Sequence, residues 1–220
     1  MPSLVAITNF SRTPFSAASA ASYGVLGNTT GTASAGGIAG SFEGIINNCT
    51  NYADVTSNNS YFDAIGGIIG RSTGTINHCV NHGLIDGSYR SGGIVGEGSN
   101  IYIYDCKNIG KVSGEGAGGI VCDIEGVIND CVNYADITSE GLCGGIAAHS
   151  SGGTINHSRN YGSISGNSAG GIVDMCTSDI YDCANYGNVS AGCSFGGIVG
   201  DTFGNIMKPM EIVNCCNNGD

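Results

Sequence analysis

The side chains best suited to chemistry are His78, Cys79 and His82, in the order His-Cys-x-x-His. Zinc would need three or four convergent nitrogen, sulfur or oxygen ligands. In a strand, His78 and Cys79 point to opposite faces, and His82 lies past the following corner. His157 repeats the His78 position three units along the chain, roughly 14 Å away at strand spacing. The pattern predicts no metal site and no cofactor. Asx-rich turns attract calcium in some solenoids, but the Gly-Gly-x-Gly-x-Asp repeat that builds such sites is missing here.

The 11 cysteines suggest disulfides at first sight. Six of them, Cys49, Cys79, Cys106, Cys131, Cys183 and Cys215, hold one recurring position, and Ser158 takes the same place once. Stacked Cα atoms about 4.8 Å apart are within disulfide reach, but parallel side chains make the required torsion awkward. A column of buried free thiols, each acting as a small hydrophobe, is the expectation. Cys122, Cys143, Cys176, Cys193 and Cys216 fall outside it. So many free thiols suit a reducing or anaerobic setting.

Carboxylates offer two pairs, Asp105 with Asp130 and Asp123 with Glu125, the second pair placed near a coil corner. Acid–base catalysis needs a cleft that gives two carboxyls different environments. Short regular turns supply none, so an acidic solvated face is expected. No Ser-His-Asp order, phosphate loop or zinc-peptidase helix motif is visible. The aromatic series Tyr52, Tyr134, Tyr161 and Tyr186, interrupted by His82 and Ile109, is the best surface candidate for ligand binding. Outward aromatic rows can meet sugar rings or a protein partner, or simply stack on one another to cover a corner.

These residues are positioned by a repeat. Gly-Gly-Ile begins at Gly36, Gly66, Gly92, Gly118, Gly144, Gly170 and Gly196, so the spacing is 30 once and 26 thereafter. After each triplet comes Ile-x-x-Cys-x-Asn, with its asparagines at Asn51, Asn81, Asn108, Asn133, Asn160, Asn185 and Asn217. Four residues on stands Val55, Ile85, Val112, Ile137, Ile164 or Val189. Gly, Asn, Ser and β-branched residues disfavour helix and suit short strands between turns. One such unit cannot bury its apolar face alone, whereas stacked units can. The expected fold is all-β, a right-handed parallel β-solenoid (β-helix) of about seven 26-residue coils, a rod of roughly 30–35 Å.

Within that frame Ile38, Ile68, Ile94, Ile120, Ile146, Ile172 and Ile198 form one interior stack. The asparagines form an internal ladder at a corner, where amides satisfy turn backbone that strand pairing misses. The Gly-Gly pair marks another corner, through positive φ or close approach. Residues 1–35 match the repeat poorly and are expected to cap residues 36–220, with a short helix at Phe15–Ala21 and a relic coil at Tyr23-Gly24. Bulged loops are expected near Ser57–Phe62 and Met207–Glu211.

The Gly-Gly-Ile-Val-Gly segments at Gly92–Gly96 and Gly196–Gly200 resemble the GLUG-motif repeat family. So do Ile128–Ala135 and Ile155–Gly162. The resemblance spans residues 36–220. It implies a bacterial secreted or surface setting, as in adhesins and the non-catalytic regions of immunoglobulin A peptidases, and it carries over no catalytic residue.

Charge narrows the partners. The net charge is −11 with only 7 Lys plus Arg. That disfavours nucleic acid and anionic membrane surfaces, which need clustered cations. No apolar run reaches the roughly 18–20 residues of a membrane-spanning helix. The N-terminus lacks the basic-then-apolar order of a signal peptide, so a fragment or another export route is expected. The sequence thus predicts a non-catalytic extracellular or cell-surface module, a binding scaffold or spacer. Its expected partners are a glycan, a host or cell-surface protein, or further repeats of a larger chain. A carbohydrate-active β-helix enzyme and an ice-binding solenoid are the alternatives. The outward row Thr56, Asp86, Ser113, Thr138, Ser165, Ser190 is too mixed for a flat ice-binding array.

Overall fold

A computed structural model describes residues 16–17, 21–22, 25–26, 34–57, 64–202 and 209–219. Every strand pairing in it is parallel, and no helix occurs among the described residues. Three sheets of ten, eight and twelve strands run side by side along one axis, each coil contributing to all three. Six complete coils of about 26 residues lie between a partial coil at each end, so the expected seventh is incomplete. Like residues pair across coils. Asn51, Asn81, Asn108, Asn133, Asn160, Asn185 and Asn217 are Cα partners in succession.

The broad sheet is built from nine- and ten-residue strands such as Ile69–Asn77, Val95–Tyr104, Val121–Asn129 and Ala147–Asn156. The second sheet has two-residue strands, all but Ala21–Ser22 ending on a ladder asparagine. Short strands suffice because the ladder takes over the hydrogen bonding where they stop. Interior side chains form columns. Ile76, Ile103, Ile128, Ile155 and Ile180 are no more than 1% exposed, and Ile68, Ile94, Ile120, Ile146 and Ile172 are fully buried beside them. A second cluster joins Val55, Ile85, Val112, Ile137 and Ile164 with Ile65 and Cys143. Ile212 continues the first column yet is 45% exposed, since no strand among the described residues pairs on its far side.

In the middle of the ladder an amide is satisfied on all sides. Asn133 Nδ2 donates to Asn160 Oδ1 at 2.8 Å and to the Ala135 carbonyl at 2.8 Å. Its Oδ1 accepts from Asn108 Nδ2 at 2.9 Å and from the Ala135 N–H at 3.2 Å. Two donors and two acceptor sites are all an amide possesses. The second glycine of each Gly-Gly pair faces this ladder. A Cβ on Gly119 would stand 2.6 Å from Asn133 Cγ and 2.0 Å from the Gly145 carbonyl oxygen. Close approach, not positive φ, is therefore what demands glycine there.

Positive φ belongs elsewhere. Asn48, His78, Asp105, Asp130, His157, Asp182 and Asn214 form a left-handed column with φ between 45° and 56°. Asn, Asp and His are the non-glycine residues that adopt this region most readily. The column turns the chain between the broad and second sheets, and it leaves His78 outside while Cys79 is buried.

The N-terminal segment departs from expectation. In place of a helix at Phe15–Ala21, Ser16–Ala17 pairs with Ile45–Ile46 and Ala21–Ser22 with Thr50–Asn51. Val25–Leu26 then pairs with Val55–Thr56, so an earlier partial coil is present. Tyr23-Gly24, all but Ser57 of the first expected loop, and residues 207–208 of the second lie outside the described residues.

Replacing Asn133 by Ala should lower the unfolding free energy by about 2–3 kcal/mol, since two neighbouring amides and one turn lose buried partners. Urea titration of both proteins measures this, and a loss below about 0.5 kcal/mol would contradict the role given to the ladder.

Candidate functional site

The tyrosine column is exposed, with Tyr52, Tyr134, Tyr161 and Tyr186 between 40% and 51% accessible. It follows the ladder by one residue, and strand alternation turns it outward. Tyr134, Tyr161 and Tyr186 stack with centroids 5.2 and 4.8 Å apart and planes within 7°. Tyr52 stacks on His82 at 4.7 Å. Exposed Ile109 separates the two groups. Because the rings cover one another's faces, the row presents ring edges and hydroxyls to solvent. Such a strip suits hydrogen bonding along an extended partner better than stacking on sugar rings.

The cysteines of the ladder column are structural. All eleven are free thiols. Cys79, Cys106, Cys131 and Cys183 donate to the carbonyl two residues back at 3.2–3.4 Å. Ser158 does the same through Oγ at 2.8 Å and accepts the Cys131 N–H at 3.2 Å. The position thus selects a small donor that closes the corner, which explains how serine substitutes. Burial pushes Cys183 up to about 12 and Cys106 well above the usual thiol range, whereas hydrogen bonds from the Cys106 and Cys49 thiols pull Cys79 down, although its sulfur is sealed in the interior. Protonated buried thiols are poor nucleophiles. Iodoacetamide under native conditions should therefore label Cys193 and Cys216 first, the two exposed thiols. Peptide mass mapping that finds Cys106 or Cys183 labelled equally fast would contradict this.

The acidic residues do not pair as the sequence suggests. Asp123 and Glu125 sit in the middle of the Val121–Asn129 strand, not at a corner, and the pair is split by function. Asp123 Oδ1 meets His149 Nδ1 at 2.8 Å, and its Oδ2 meets Arg90 Nε at 3.2 Å. Arg90 also approaches Glu97 at 3.5 Å, and Arg71 meets the same Glu97 oxygen at 3.1 Å. The Tyr89 ring lies 4.7 Å from the Arg90 guanidinium carbon. Burial pushes the Asp123 carboxyl up, but the hydrogen bond and charge of His149 and the charge of Arg90 outweigh it and hold it below the ordinary range. A carboxylate so held is an anchor between coils, not a proton donor at neutral pH.

Asp105 and Asp130 do share a column, the left-handed one. Asp105 pairs with His78 at 3.1 Å, and His157 with Asp182 at 3.5 Å, all about half exposed. Exposed pairs of this kind contribute little. Among the described residues no three His, Cys, Asp or Glu side chains converge to hold a metal.

One buried acid gave no signal in the sequence. Asp174 is fully buried where other coils have Gly70, Gly96, Cys122, Ala148 or Gly200. Its Oδ1 accepts from Ser168 Oγ at 2.7 Å, and its Oδ2 has no partner. Burial raises it to about 6, against the pull of the Ser168 hydrogen bond, with Asp201 adding repulsion. Only the column position, one residue after Val173, could have revealed it. Because the folded value exceeds the ordinary one, ionisation opposes folding. This contribution is favourable below about pH 4 and is lost as pH rises through about 6. Asp174→Asn should be more stable than the parent at pH 7, on the order of 1–2 kcal/mol after allowance for solvent screening, and equal to it at about pH 4. Thermal unfolding at both values checks the sign.

No family model matches the chain, and no curated protein matches it.

Proposed function

We propose that the chain is a non-catalytic binding and spacer module of the bacterial cell surface. The observation that carries this is the set of exposed columns held in register on a rigid rod, above all the tyrosine strip with 40–51% of each residue exposed. A parallel solenoid fixes spacing between like groups at strand distance, which favours a partner contacted at several coils over one held at a point. The carboxylates favour the same reading. Asp123 is neutralised between coils, and Asp105 and Asp130 are spread along a corner. The likeness of the Gly-Gly-Ile-Val-Gly segments to GLUG-motif repeats supports an extracellular setting, with a glycan or a surface protein as partner and further coils stacked on the same axis. No helix among the described residues is long and apolar enough to cross a membrane.

Arrays of glycans and extracellular matrix proteins, probed with the chain and with Tyr161→Ala, test the strip. Binding that falls at least tenfold in the variant is expected, since one lost ring unstacks both of its neighbours. Equal binding by both proteins would dismiss the strip. Release of reducing sugar from any polysaccharide would overturn the non-catalytic assignment.

A further inference from the structure

We propose that a recess on the broad sheet, formed where the fourth coil is flanked by two bulged coils, is a binding subsite for one ring of a neutral saccharide. This site is separate from the tyrosine strip and does not depend on it.

The recess has a clear backbone origin. Along Val95–Tyr104, Ser99 pairs with Glu125 and Ile101 pairs with Gly126, so Asn100 is an extra residue with no partner in the fourth coil. Along Ala147–Asn156, Ser150 pairs with Ile124 and Gly153 with Gly126, so Ser151 and Gly152 together oppose Glu125 alone. The third and fifth coils therefore bulge outward at the same level, and the fourth does not. Asn100 takes the left-handed conformation, with φ 49°. Bulges of this kind re-aim side chains and recur beside functional sites.

Between the bulges lies a shallow recess of about 290 Å³, lined by Asn100, Tyr102, Glu125, Gly126, Gly152 and Gly153 with two aliphatic neighbours. Its floor is glycine because nothing larger fits. A Cβ on Gly126 would lie 2.0 Å from the Ile101 carbonyl oxygen, and one on Gly153 would lie 1.8 Å from that of Gly126. Above Gly152 the space is open, since a Cβ there would meet no atom within 4 Å.

The lining groups match a sugar. Tyr102 is 48% exposed. Tyr104 stacks beside it, with centroids 6.2 Å apart and planes 13° apart, but only Tyr102 of the two lines the recess, together with Asn100 and Gly126. A ring face of this sort packs against the C–H face of a pyranose. The Asn100 amide and the Glu125 carboxylate, both exposed, supply a donor and acceptors for adjacent hydroxyls. The volume sits at the lower edge of the roughly 300–1,000 Å³ usual for ligand sites, which fits one ring better than a chain. A lone carboxylate on a chain of net charge −11 repels uronic acids and selects a neutral sugar.

The amide signals of Gly126, Gly152 and Gly153 report directly on the floor. With isotope-labelled protein, titration with cellotetraose, xylotetraose and chitotetraose should shift these signals saturably for at least one probe, and tetragalacturonate should not. Tyr102→Ala and Glu125→Gln should each weaken that response at least tenfold, while Tyr102→Phe and Tyr161→Ala leave it unchanged. The proposal is overturned if no neutral probe moves these amides, if only tetragalacturonate does, or if folded Tyr102→Ala or Glu125→Gln binds like the parent. Loss with Tyr161→Ala and not with Tyr102→Ala would place any sugar binding on the tyrosine strip instead.

Discussion

The buried asparagine ladder is the constraint from which the rest follows. Six amide–amide hydrogen bonds of 2.7–2.9 Å run from Asn51 to Asn217. Each amide also ties its own corner, by donating to the carbonyl two residues ahead. A one-residue slip of any coil would leave an amide unpaired in the interior, where that costs on the order of 1–3 kcal/mol. The hydrophobic columns tolerate exchange of Ile for Val, and the cysteine column tolerates Ser158. The ladder accepts only asparagine in every complete coil, and the glycine facing it accepts no side chain. Register is thus fixed by polar geometry, and apolar burial supplies the bulk of the driving force.

Because coils are locked in register, the surface inherits the repeat. A residue type that recurs once per coil becomes a stripe, and an inserted residue becomes a local relief feature. The tyrosine strip is the first case and the recess over Gly126 is the second. The strip arises where the sequence is regular, and the recess arises where it is not. The ionic cluster of Arg71, Arg90, Glu97, Asp123 and His149 is intermediate. Arg71, Glu97, Asp123 and His149 hold equivalent positions on successive coils, so Asp123 lies between Arg90 and His149, and Glu97 meets both Arg71 and Arg90.

Much of this was legible in the chain. The Gly-Gly-Ile and Ile-x-x-Cys-x-Asn spacings reveal the parallel stacking, the interior columns and the ladder, because period and residue type agree. The tyrosine column and its outward direction follow from its place after the ladder asparagine. What escaped was set by single residues outside the period. Asn100 and Gly152 shift register without altering the 26-residue spacing of the glycine triplets. Asp174 occupies a position that other coils give to small residues. The left-handed column was visible as a series of Asn, His and Asp before each cysteine, but the strand assumption for His78 concealed it. The short helix expected at Phe15–Ala21 gives way to strand pairing on the template of the next coil, at Ile45–Ile46 and Thr50–Asn51.

The ladder also has a sense. Every Nδ2 reaches toward the next coil and every Oδ1 toward the previous one, so the amide dipoles add along the axis instead of cancelling. Within the described coils the amide oxygens point back toward Asn51 and the N–H groups on toward Asn217, whose Nδ2 donates to the Gly219 carbonyl at 3.3 Å. The described coils therefore carry an electrical direction along their axis, which the net charge of −11 does not convey.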